Sequence, residues 1–146
     1  MRFGRCVITI AISALFLLGF SGDRSLEERQ LEAQEYMASI TKNQQAYYIE
    51  SGSFADRIDE LGLGIPTETE NYSYRIQRNE KERVVIIAIP KRRDLKSYTG
   101  VVFLTFFQGN FITNSIVCES DRPSSIPPLI EWVEEGVKCA FGSSQL

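Results

Sequence analysis

The sequence predicts an α+β fold in which one long amino-terminal helix packs across a four-stranded antiparallel sheet and a carboxyl-terminal tail is closed by a disulfide. Three features carry this expectation. A polar stretch with a narrow apolar stripe runs without Gly or Pro from Ser25 to Ser51. Four β-branched or aromatic runs follow in two pairs, each joined by a polar turn. Two cysteines, Cys118 and Cys139, then bracket a proline-containing tail.

Size permits one core. The chain has 146 residues, and setting aside an amino-terminal targeting segment leaves about 120, a single domain's worth. The expected division is residues 1–22 as signal peptide or membrane anchor and 23–146 as the globular domain. The charged fraction of 24% and net charge of -3 give no strong field toward nucleic acid, and the one basic cluster, Lys91-Arg92-Arg93, reads as a solvated turn. Histidine is absent, which removes Ser-His and Cys-His nucleophile pairs and imidazole metal sites. No cofactor is expected.

At the amino terminus, Arg2 and Arg5 precede an uncharged apolar run from Cys6 to Phe20, followed by Ser21, Gly22 and Asp23. This is the three-part form of an export signal, and a run of about 15 residues is shorter than the roughly 20 of a comfortable membrane helix. Gly19 and Ser21 supply small residues at the spacing read by signal peptidase, predicting cleavage between Ser21 and Gly22. An uncleaved segment would instead anchor the body outside the cytoplasm, with Met1 held inside by the basic residues. Both routes export the body to the periplasm or cell surface.

Ser25 and Glu28 fit a capping box, and Asp23, Glu27 and Glu28 face the positive end of the helix dipole. Leu26, Ala33, Met37, Ile40 and Tyr47 form the apolar stripe of a helix of about 26 residues. Gly52 sits where a left-handed residue closes it. Residues 53–71 read as an ordered loop with a helical turn between Phe54 and Leu61, and Glu68 and Glu70 as solvated. Residues 72–77 and 84–89 read as one hairpin, and 101–107 and 111–117 as a second through Gln108-Gly109-Asn110. The only large amphipathic cover for these strands is the preceding helix.

Within the tail, Leu129 to Val137 reads as a short helix. Cys6 falls in the signal segment, so the two cysteines of an exported body, Cys118 and Cys139, are best paired with each other. Closing a loop of this length stabilises by roughly 3 kcal/mol, and the spacing differs from that of a redox Cys-x-x-Cys pair.

The order of motifs resembles a known family. Asn43-Gln44-Gln45-Ala46-Tyr47-Tyr48-Ile49-Glu50-Ser51-Gly52-Ser53-Phe54, Leu61-Gly62-Leu63-Gly64-Ile65 and Thr69-Glu70-Asn71-Tyr72-Ser73-Tyr74 are similar to the helix end and following loop of the cyanobacterial type IV pilin-like G and H family. Lys96-Ser97-Tyr98-Thr99-Gly100-Val101-Val102-Phe103 and Ile116-Val117-Cys118-Glu119-Ser120 resemble its third strand and first tail cysteine. The resemblance implies a pilin-like fold and a non-enzymatic envelope protein of a pilus or a general (type II-like) secretion pathway. Its implied partners are other pilin-like or secretion-system proteins, with the membrane added if the amino-terminal segment is uncleaved. Gln44, Gln45, Tyr47, Tyr48, Gly52 and Phe54 are the family-like helix-end residues. On the residues alone, simple packing of a helix end on a sheet is the better reading of the two tyrosines, and a solvated surface of the two glutamines; the ordered set of motifs is what points to the family. Pilins of this kind also carry a cleavage-site glycine followed by an aromatic or Met residue, and a glutamate in the apolar helix. Here Gly4 precedes Arg5 and no acid occurs from Met1 to Gly22, so incorporation into a fibre does not follow from the resemblance.

Two alternatives stand beside this reading. One is an exported pilin-like binding module released by signal peptidase. The other is a small hydrolase using Glu131, Glu134 and Glu135 near Trp132, although these acids crowd one short segment, whereas glycoside cleavage needs two opposed carboxylates.

Overall fold

The computed structural model describes residues 24–134 and 136–146. The expectations for residues 1–22, including cleavage at Ser21 and Gly22, and the proposed role of Glu135 lie outside these residues. No helix among the described residues is long and apolar enough to cross a membrane.

Helix α1 spans Leu26–Ser51 and begins as its sequence dictates. The Ser25 hydroxyl accepts from the Glu28 N–H, and the Glu28 carboxylate accepts from the Ser25 N–H, so two orphan donors are satisfied reciprocally. It ends at Gly52, whose φ of 75° lets its N–H reach the Tyr48 carbonyl at 2.8 Å. The buried stripe is rotated from the one predicted. Ala33, Met37 and Ile40 are buried as expected, but Leu26 is exposed and Tyr47 only half-buried, while Arg29, Thr41 and Gln44 take inner positions.

A short 3-10 helix, Ile58–Leu61, supplies the turn after Phe54. Strands β1 (Tyr72–Glu80), β2 (Arg83–Pro90), β3 (Tyr98–Phe107) and β4 (Asn110–Ser120) form the two predicted hairpins and pair in sequence order, all antiparallel. The β3–β4 turn is the two-residue pair Gln108-Gly109, both at positive φ, with Phe107 opposite Asn110.

The tail departs from expectation. Residues 129–137 do not form a helix: Ile130–Val133 (β5) and Gly136–Cys139 (β6) make a separate two-stranded hairpin, and Ser143–Gln145 (β7) adds a fifth strand beside β4. The physical reason lies in β2. Its run Val84-Val85-Ile86-Ile87-Ala88 is buried on both faces, so the sheet presents two apolar sides and requires two covers. Val84, Ile86 and Ala88 pack with Tyr72, Tyr74 and Val102 under α1, whereas Val85, Val101 and Phe103 pack with Ile116, Ile130 and Val137 on the far side. The tail hairpin is that second cover.

Candidate interaction surfaces

The joint between α1 and the loop is built by the family-like residues. The Gln44 side chain is fully buried; its Nε2 donates to the Ala55 carbonyl at 3.0 Å and its Oε1 accepts from the Ala55 N–H at 2.9 Å. One side-chain amide thus does what a strand neighbour would do, and it leaves neither backbone group of a buried residue unpaired. One turn later Tyr48 meets Phe54 with ring centroids 4.7 Å apart. Gln45 faces the sheet instead, donating from Nε2 to the Thr113 carbonyl at 3.1 Å. Tyr47 contributes its backbone carbonyl, which accepts from the Ser51 hydroxyl at 2.6 Å. Helix, loop and fourth strand are therefore locked together at a single turn.

The other end of α1 is fastened by a charged bridge. Glu119 on β4 accepts from Lys96 Nζ at 2.6 Å and from Gln34 Nε2 at 2.8 Å, while the Lys96 backbone N–H donates to Gln30 Oε1 at 3.2 Å. Burial alone would raise the Glu119 carboxyl, but the Lys96 and Gln34 hydrogen bonds outweigh it and hold the group below the ordinary carboxylate range. Nearby, burial pushes the hydroxyls of Tyr72, Tyr74 and Tyr98 well above their ordinary range, so they remain neutral.

The tail is held against the far face of the sheet by the Cys118–Cys139 disulfide, with Cα atoms 5.6 Å apart. Thr99 Oγ1 donates to the Pro128 carbonyl at 2.8 Å and Ser97 Oγ to the Ile126 carbonyl at 2.7 Å. These bonds fix the backbone of residues 126–128 and leave neighbouring apolar side chains outside. Ile126 is 74% exposed, Leu129 75%, and Phe141 wholly so; with Arg122 they line one groove of about 680 Å³.

A family model for type IV pilin-like G and H proteins matches residues 30–140. The chain belongs to this family. The match covers α1 from residue 30 on, strands β1 to β6 and both disulfide cysteines. No curated protein and no solved structure matches the chain. Proteins of this pilin-like kind are generally structural and are found in the envelope or outside the cell.

Glu131 lies on β5 and pairs with Lys138 on β6 at 2.9 Å, and Trp132 packs edge-on against Phe103 with Arg83 4.5 Å above its ring. Glu131 is thus held in a surface ion pair, while Glu134 and Trp132 line a groove of about 610 Å³ with Glu80, Glu82 and Arg83; Glu135 lies outside the described residues. Among the described residues no group of three or more His, Cys, Asp or Glu could hold a metal ion.

Of the helix-end residues singled out by sequence, the structure brings Gln44, Tyr48, Gly52 and Phe54 into one joint, sends Gln45 to β4 and leaves Tyr47 at the margin. The exposed groups Ile126, Leu129 and Phe141 were not singled out by sequence. The prolines at 127 and 128, which are disfavoured in a helix interior, mark the segment only as irregular.

Proposed function

We propose that the pilin-like domain is a non-enzymatic component of the cell envelope that contributes to a pilus or a type II-like secretion apparatus through protein contacts. The observation that carries this reading is the apolar groove of Ile126, Leu129 and Phe141 on a tail fastened by a disulfide and two backbone-directed hydrogen bonds. Apolar groups held rigidly in water mark protein contacts, because ordering has already been completed before binding. The groove belongs to a family whose fold suits interaction with other pilin-like components. Export to the periplasm or cell surface, and a membrane tether through residues 1–22, form part of the proposal.

The test is covalent trapping in the native host envelope, followed by isolation through a carboxyl-terminal tag. Pilin-like or secretion components should accompany the wild-type chain and be depleted with the Leu129→Ser/Phe141→Ser variant. Equal recovery with both chains would remove the groove as the contact surface. A second reading, release as a free exported module, is favoured by the short uncharged run from Cys6 to Phe20. The amino-terminal sequence of the mature protein separates the two: a start at Gly22 supports release, a start at Arg5 supports pilin-type processing, and an intact Met1 supports a simple anchor.

A further inference from the structure

The two edges of the main sheet are built differently. The β1 edge carries Arg75, Arg78 and Glu80 and a register shift between Ile76 and Arg78, the features by which natural edge strands resist pairing. The β4 edge has none of these. From Asn110 to Cys118 the strand reads Asn-Phe-Ile-Thr-Asn-Ser-Ile-Val-Cys, without charge or proline, and its pairing with β3 is in continuous register.

This edge is also open over half its length. Strand β7 pairs only with Cys118–Ser120, and the Leu146 N–H adds one bond to the Val117 carbonyl at 3.0 Å. Beyond that point no described strand lies beside β4 on its outer side. The Val117 and Thr113 carbonyls both turn outward, the first to Leu146 and the second to Gln45 Nε2, so by the antiparallel alternation Phe111 and Ser115 also turn their backbone groups outward. Beside the edge, Phe106 and Phe111 are each 66% exposed, stacked edge to face at 5.2 Å, and Ile49, one turn beyond Gln45, is 77% exposed.

We propose that residues 111–115 of β4 pair antiparallel with the same residues of a second copy of this chain, about a two-fold axis at Thr113. Self-pairing of β1 would bring its charged side chains toward their own copies. On β4 it sets Phe111 against the partner's Ser115 without opposing like charges, and Thr113 against the partner's Thr113, a pair of the kind that stabilises antiparallel sheets. The interface is isologous and closes at two copies. The two five-stranded sheets become one, and the outward N–H and C=O groups of residues 111, 113 and 115 gain partners. In the single chain Gln45 donates to the Thr113 carbonyl and hydroxyl and accepts from the Ser115 hydroxyl; of the outward backbone groups it covers the Thr113 carbonyl, where its amide gives way to the incoming strand.

The register fixes the experiment. Directly opposed residues whose backbone groups bond each other have Cα atoms about 5.5 Å apart, within disulfide reach. In the full chain, carried in the host envelope in a Cys6→Ser background, Thr113→Cys should give a reducible dimer of doubled mass on mild oxidation. Arg75→Cys on β1 should remain single. Differently tagged Phe111→Cys and Ser115→Cys chains expressed together should give the mixed dimer, which decides the matter even if Thr113→Cys fails to fold. The proposal is overturned if the mixed pair does not cross-link, if Arg75→Cys dimerises as readily as Thr113→Cys, or if Thr113→Cys is trapped on a different protein. The edge lies apart from the tail groove, so failure here leaves the envelope contact proposed above standing.

Discussion

Gln44 and Ala55, eleven residues apart, exchange two hydrogen bonds through one side-chain amide, at 3.0 and 2.9 Å, in a site closed to water. Removing that amide strands both backbone groups of a buried residue and opens a cavity. An unsatisfied buried group costs about 1–3 kcal/mol, so Gln44→Ala is expected to lower unfolding stability by roughly 2–4 kcal/mol. Gln44→Glu places a carboxyl in a site closed to water, where its ionised form faces the Ala55 carbonyl with no proton to donate, and should also be less stable than wild type, most strongly at neutral pH. Urea titrations should show a lower midpoint with an unchanged slope; wild-type stability in Gln44→Ala would refute the clamp.

Gly100 on β3 lies directly against α1 and has no room for a side chain. A Cβ there would lie 2.8 Å from Thr41 Cγ2 and 3.0 Å from Met37 Cε. Gly100→Ala should destabilise by about 1–3 kcal/mol, as overpacking does. Thr41→Ser removes the obstructing methyl and keeps the hydroxyl that donates to the Met37 carbonyl at 2.9 Å. The double variant should therefore recover part of the loss, and strict additivity of the two changes would contradict the proposed contact.

The elements bounded by their own residues were legible in the sequence. Ser25, Glu28 and Gly52 fix both ends of α1, and Gln108-Gly109 fixes the second hairpin, because caps and turns act over a few residues. What depended on distant partners was not. Leu129, Trp132, Val133 and Val137 fit the spacing of an amphipathic helix, yet the segment pairs as β5 and β6, where Ile130 and Val137 cover the far-side residues Val85, Val101 and Phe103. The uninterrupted apolar run of β2 was the available sign that such a cover is needed. Gln44 stood out as part of the helix-end motif, but its burial did not, since hydropathy places a glutamine in water unless the backbone group it clamps is known.

The disulfide and Trp132 report on the same unit. Cys139 ends β6, and Trp132, the single tryptophan, stands on β5 against Phe103. Reduction should lower stability by about 3 kcal/mol, the chain-entropy value for a loop of this size. It should also loosen the Trp132–Phe103 contact before the helix-side core melts, because that core contains no residue of the tail. Mass analysis should find no free thiol at Cys118 or Cys139 in exported protein. Tryptophan fluorescence should change at a lower denaturant concentration than helical circular dichroism in the reduced chain; coincident transitions would show that tail and core remain one cooperative unit.

Glu119 gives the acid dependence. Its folded-state pKa lies below the ordinary value of 4.5: burial opposes the charge, but Lys96, Gln34 and Tyr98 stabilise it more. A depressed carboxyl stabilises the fold at pH above its unfolded value, and that contribution is lost as pH falls below about 4.5 toward the folded value. Asp59, Glu68, Glu80 and Asp94 are shifted the same way by their Arg or Lys partners, but these are surface pairs that salt screens. Stability of the wild-type chain measured from pH 6 to pH 3 in high salt should therefore retain an acid limb owed to Glu119, whose side chain is only 14% exposed. Glu119→Gln, which keeps an acceptor for Gln34 but no charge for Lys96, should be less stable near pH 6 and should flatten that limb. Parallel curves for the two chains would place the acid sensitivity elsewhere.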